Sequence, residues 1–234
     1  MRAPATFPTI VVLLAIATSV SSAAAEAPGK IAIDFEDSKP GEAPAGFRPE
    51  LTGEGRVGSW QVVEDETAPR GPRVLAQTSA DAAKSRYPLC IYETFTAKDL
   101  VVSVQFRPVS GNVDQAGGIV WRYRDHDNYY VVRANALEDN VVVYKVKDGK
   151  RTDLKPAGAS FLAYGKKVEV PPDRWSELRL IARGKKHSVH FNGEHLFDVE
   201  DETFAEPGRV GLWTKADSVT RFDALVIESL DGAL

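Results

Sequence analysis

Cysteine is nearly absent: Cys90 is the only one in 234 residues. An intramolecular disulfide is therefore excluded, and the fold must stand on its hydrophobic core, which a chain of this length can supply without cross-links. Cys90 sits in Pro88-Leu89-Cys90-Ile91-Tyr92 with no His or Asn pattern of a cysteine enzyme, so it reads as a buried small hydrophobe rather than a nucleophile. A basic stripe is missing too. Lys and Arg number 29 against 33 Asp and Glu, mixed along the chain to a net −4, and no nucleic-acid partner is expected. Low-complexity segments, short-period repeats and long runs of helical period are also lacking after residue 26.

The chain contains no HExxH, no G-x-S-x-G and no phosphate-cradling glycine loop; Gly53-Glu54-Gly55-Arg56-Val57-Gly58 fits G-x-G-x-x-G but has no βαβ context. The apolar run Ile10–Ile16 is far shorter than the roughly 20 residues a membrane span needs. With Arg2 before it and Ala23-Ala24-Ala25 after it, the run reads as a leader over residues 1–25, cleaved before Glu26. No cysteine near that point could carry a lipid, so the expectation is a soluble protein of the periplasm or medium, with no membrane span. Residues 26–234 read as a single domain.

What is present is a series of short β-branched or alternating segments between turn signals: Ile31–Phe35, Trp60–Val63, Arg73–Gln77, Ile91–Thr94, Val101–Arg107, Gly118–Arg124, Tyr129–Ala134, Val141–Val146, Trp175–Ala182, His187–Phe191, Val210–Trp213 and Asp223–Glu228. That spacing predicts an all-β, two-sheet antiparallel sandwich of jelly-roll type, with room for a short helical turn near Asp201–Phe204. Asn192-Gly193 predicts a tight hairpin pairing Val189 with Leu196 and His190 with His195. The adjacent histidines could hold a metal, but no third ligand is visible near them.

A second hairpin turns at Asp125-His126-Asp127-Asn128. Alternation places Ile119, Trp121, Tyr123, Tyr130, Val132 and Ala134 on a core face, and Arg122, Tyr129 and Arg133 on the other, where Lys145 and Lys147 of the next strand join them. The strip has two readings: a solvated outer face whose arginines pair with carboxylates, or a ligand platform.

The stretch Ala116–Glu138 followed by Val141–Tyr144 resembles the central strands of bacterial concanavalin A-like lectin/glucanase domains. Trp175-Ser176-Glu177-Leu178-Arg179-Leu180, Phe191-Asn192-Gly193 and Pro207–Ser218 are similar to that superfamily's laminin-G-like members and the related keto-disaccharide hydrolase-like domains. The resemblance spans roughly residues 30 to 230 and implies a two-sheet jelly roll with a concave face, often used for carbohydrate. It also implies a structural calcium ion between the first and last strands, for which Glu36 and Asp223 are the expected ligands.

Family-16 glucanases on this fold carry E-x-D-x-x-E on one strand, and this chain has no such pattern; Asp198-Val199-Glu200-Asp201-Glu202 has the wrong spacing. The leading expectation is therefore a noncatalytic carbohydrate-binding module using Arg122, Tyr129, Arg133 and Lys145, with Trp213 and Lys215 approaching from the C-terminal strands. Two alternatives stay open: a divergent glycoside-active enzyme drawing on Glu138, Asp125 or Asp127, and a laminin-G-like domain with a protein partner.

Overall fold

Alternation sorts the chain into strands with one dry face, and continuous apolar runs mark strands buried on both sides. The structure, a computed structural model, describes Met1 and residues 29–231, so the expected leader falls outside the described residues. One sheet, A, contains β1 (Lys30–Ile33), β3 (Trp60–Glu64), β4 (Arg73–Gln77), β6 (Leu100–Ser110), β12 (Ser176–Arg183), β13 (Lys186–Phe191), β14 (Glu194–Glu200) and β16 (Val219–Ser229). Its order is β14-β13-β12-β6-β16-β4-β3, with β1 added on β16. The other, B, contains β2 (Phe47–Gly53), β5 (Arg86–Ala97), β7 (Ala116–Asp125), β8 (Asn128–Asn135), β9 (Asn140–Lys147), β10 (Lys150–Leu154), β11 (Lys166–Lys167) and β15 (Gly208–Trp213). Its order is β10-β9-β8-β7-β15-β5-β2, with β11 on β9. All named strand pairs are antiparallel, giving the expected two-sheet sandwich.

In sheet A, β6 and β12 alternate strictly between buried and half-buried residues, so the outer face is wet. Val102, Val104 and Phe106 of β6 and Leu178 and Leu180 of β12 meet Ile119, Trp121, Tyr130 and Val132 of sheet B to form the main core. In sheet B, β7, β8 and β9 are buried almost throughout, because the side away from sheet A carries a second cluster including Val120, Tyr129, Val131, Val142, Tyr144 and Trp213.

That second cluster exists because sheet B curls about its outer face. Arg151 on edge strand β10 has its guanidinium carbon 4.6 Å from the ring centre of Tyr87 on β5, five strand steps away. A flat sheet would hold those strands about 24 Å apart. Thr52 on β2 likewise hydrogen-bonds the Tyr129 hydroxyl at 2.9 Å across four steps. The outer face is thus a trough whose floor is filled by its own side chains.

Three strands were not expected, the two-residue β11 among them. β2 contains Pro49 and β10 is rich in charge, features that suit the edge positions both occupy and that weaken a strand signal. No helical turn forms at Asp201–Phe204. His190 pairs with His195 as expected, but a bulge after Val189 gives it Phe197 rather than Leu196 as partner.

Candidate functional site

The arginine strip does not assemble as its alternation implies. A bulge between Trp121 and Asp125 interrupts the β7–β8 ladder, with Arg122 at φ +48°. Arg122 consequently leaves the outer face. Its guanidinium donates to the carbonyls of Lys98 (2.9 Å), Phe204 (2.9 Å) and Gly184 (2.7 Å) and to Asp99 (3.2 Å). Tyr123, expected in the core, rotates into the outer cluster instead. Lys145 is also on the inner side: it lies opposite Tyr130, and its ammonium bonds Asp201 (2.7 Å) and Thr203 (2.9 Å). Tyr129 and Trp213 do occupy the outer face of sheet B, yet both are fully buried as trough floor, Trp213 stacked on Tyr87 at 5.8 Å.

Arg133 and Lys215 remain, and a polar cluster gathers around them at one end of the trough. Arg133 is 2% exposed, and Tyr144 and Tyr164 lie beneath its guanidinium at 5.9 and 5.8 Å from their ring centres. It donates to Glu138 at 2.6 Å, to both tyrosine hydroxyls at 3.2 Å, and to the side-chain oxygen of Asn140. Lys215 pairs with the buried carboxylate of Asp114, which also accepts from Asn135 at 2.5 Å. Burial opposes the charge on Arg133, but Tyr144 and Glu138 outweigh it and hold the group firmly protonated. Burial likewise works against ionised Glu138, and Arg133 and Asn140 overcome it, so its carboxyl lies below the usual range. Asp114 goes the other way, because burial there exceeds the pull of Lys215.

Next to this cluster the surface opens into a depression of about 570 Å³ bordered by Leu137, Glu138, Asn140, Tyr164 and Lys167. Deeper in the trough Arg151 is sandwiched between Tyr87 and Tyr144, 4.6 and 4.4 Å from their ring centres, and its Nη1 is buried with no hydrogen-bond acceptor. Asp114, Tyr144, Tyr164 and Arg151 carry no sequence signal of their own. They meet because β15 inserts between β7 and β5 and because the sheet curls. Asp125 and Asp127 lie apart, at the β7–β8 turn; Asp127 lines a second open depression with His126, Asp148 and Lys150.

At the expected calcium position, burial raises the Asp223 carboxyl, Asp34 and Glu36 lie close enough to raise it further, and both Glu36 and Asp223 are held by backbone donors. Glu36 Oε1 accepts the Arg73 N–H (2.8 Å), and the two oxygens of Asp223 accept the N–H groups of Ala224 (2.6 Å) and Arg70 (2.9 Å). Among the described residues no group of three or more His, Cys, Asp or Glu is arranged to hold a metal ion. The His190–His195 pair, with rings 5.2 Å apart, is completed by Asp198 bonding His195 at 3.0 Å. Also among the described residues, no helix is long and apolar enough to cross a membrane.

Similar structures share this architecture. The carbohydrate-binding module CBM66 from Bacillus subtilis superposes with a TM-score of 0.61 at 18% identity, over 79% of this chain and 96% of its own. The cellulose-induced protein Cip1 gives 0.56 at 12% identity, over 85% and 97%. Domain 4 of AbnA, a GH43 extracellular arabinanase from Geobacillus stearothermophilus solved with arabinotriose, gives 0.52 at 12%, over 85% and 90%. At such identities these likenesses show a common fold. No curated protein matches the chain. Residues 34–228 match the family described as the 3-keto-alpha-glucoside-1,2-lyase-like domain, and this chain, a concanavalin A-like sandwich with a trough on sheet B, belongs to that family.

Proposed function

We propose that the Arg133 end of the trough is a saccharide site. The observation that carries this reading is the guanidinium of Arg133, fixed by Tyr144, Tyr164 and Glu138 beside an open depression of about 570 Å³. Glu138 and the tyrosine hydroxyls supply acceptors and donors for sugar hydroxyls, and the half-exposed Tyr164 ring offers an apolar face. CBM66, the Cip1 protein and the arabinanase domain, all associated with carbohydrate by name, lend support to a sugar ligand on this fold. Glu138→Gln and Tyr164→Ala should each weaken retention on a glycan array by about tenfold, the loss of one charge-assisted bond or one stacking face. An array on which the wild-type chain gives no signal above background would remove the proposal.

A second reading, elimination on a keto-sugar, is favoured by the family description together with the position of the Glu138 carboxylate at the border of the depression. A carboxylate there would take the proton from the carbon beside a ketone. That C–H electron pair becomes the new C=C bond, the neighbouring C–O bond breaks, and the leaving oxygen takes up a proton. Incubation with a 3-keto-α-glucoside should then build up an enone absorbance that Glu138→Gln abolishes. Binding without absorbance change would leave the noncatalytic reading alone.

A further inference from the structure

The outer face of sheet A, on the opposite side of the sandwich from the trough, carries a groove of about 360 Å³ over β6, β12 and β16. A defect in β16 shapes it. Asp223 lies opposite Gln105 and Val226 opposite Ser103, so Ala224 and Leu225 together face the single residue Val104, one more than a regular ladder holds, and Ala224 sits at φ +49°. A non-glycine residue in that region is strained, and bulges of this kind recur beside binding sites. The strain is held from below: the buried Asp223 carboxylate accepts the Arg70 N–H at 2.9 Å and the Ala224 N–H at 2.6 Å. The loop bearing Arg70 is fastened again at Asp65, which takes Arg107 (3.0 Å) and Arg221 (2.8 Å). Arg70 is thereby presented at the groove by a rigid backbone.

The groove's charges are unspent. Arg70 and Arg179 line it, and neither guanidinium makes a hydrogen bond or ion pair to a described residue, whereas Arg48, Arg107, Arg122, Arg133 and Arg221 all have carboxylate partners. Lys30 adds a third cation, and Glu177 and Glu228 add two carboxylates, likewise without ion pairs among the described residues. Ser103 and Gln105 lie half-buried between them. Cations alone would suit any anion. The interleaved carboxylates disfavour an acidic peptide, yet they can accept hydrogen bonds from hydroxyls. A ligand matching the whole set carries one carboxylate and several hydroxyls.

We propose that this groove is a second binding site, for a carboxylate-bearing sugar of the hexuronate class, with Arg70 and Arg179 on the carboxylate and Gln105, Ser103 and Glu177 on the hydroxyls. It is separate from the Arg133 site and stands or falls independently of it. The test is an NMR titration of the whole chain with D-glucuronate, D-glucose and acetate, following the amides of Ser103, Gln105 and Ala224 and the Nε–H signals of Arg70 and Arg179. Glucuronate should move these signals saturably, with glucose and acetate at least about tenfold weaker. Arg179→Ala and Arg70→Ala should each weaken glucuronate about tenfold without disturbing the rest of the spectrum. The proposal is overturned if acetate acts as strongly as glucuronate, if the arginine variants titrate like the wild type, or if the shifts fall in the trough.

Discussion

Replacing Arg122 by alanine is expected to destabilise the chain by about 3–5 kcal/mol, measured by urea denaturation at neutral pH. The side chain is 1% exposed, and its fork ties together three separate backbone segments, at Lys98, Gly184 and Phe204. Truncation leaves those carbonyls and the Asp99 carboxylate short of a donor, and each buried unsatisfied group costs about 1–3 kcal/mol. Arg122→Lys should recover little, since an ammonium cannot span the same acceptors. If Arg122 instead served a ligand, alanine would change binding and leave the denaturation midpoint in place.

The second large effect is a pair of opposed pH dependences. His187 packs against Trp121 and Tyr130 with Arg122 close by and the Asp201 carbonyl at 3.2 Å, and burial pushes it down to about 4. Below its unfolded value of about 6.5 the unfolded chain binds the proton first, so stability falls as pH drops from 6.5 towards 4, by about 2–3 kcal/mol. Asp223 is pushed up to about 6, by burial first and then by Asp34 and Glu36. Here the folded state holds the proton more tightly, so stability falls as pH rises from about 4 to 6, again by about 2 kcal/mol. The slopes cancel over one window. Wild-type stability should therefore be nearly level from pH 4.5 to 6, His187→Gln should gain stability on acidification, and Asp223→Asn should lose it. Parallel pH profiles for all three would refute the account.

The sandwich was legible because period-2 alternation and turn residues are local signals, and the family through the resemblance of Ala116–Glu138 and Pro207–Ser218. The edge strands β2 and β10 were not, since Pro49 and the charges of Lys150-Arg151-Thr152-Asp153 dilute those signals. Face assignment held for Ile119, Trp121, Tyr130, Val132 and Ala134 inside and Tyr129 outside, and failed at Arg122, Tyr123 and Lys145 for a different reason. In β7, β8 and β9 both faces are apolar, so nothing in the sequence says which side holds the arginines, and the bulge at Arg122 lacks the glycine that would announce a positive φ. Arg133 keeps the outer side that alternation gave it; Lys145, opposite Tyr130, lies on the inner side. Of the partners that give Arg133 its setting, Glu138 and Asn140 are close in sequence, whereas Tyr144 farther along β9 and Tyr164 in the segment before β11 reach it only through tertiary structure.

For the proposed saccharide site, the curl of sheet B also sets the length of glycan that would fit. Arg151, wedged between Tyr87 and Tyr144, bridges the trough from wall to wall immediately behind the Arg133 cluster. A polymer could not be threaded along the groove with units on both sides of such a plug. A saccharide at the proposed Arg133 site would enter from the Glu138 and Tyr164 side and stop there, so that site would take chain termini and short saccharides over the interior of a long polysaccharide.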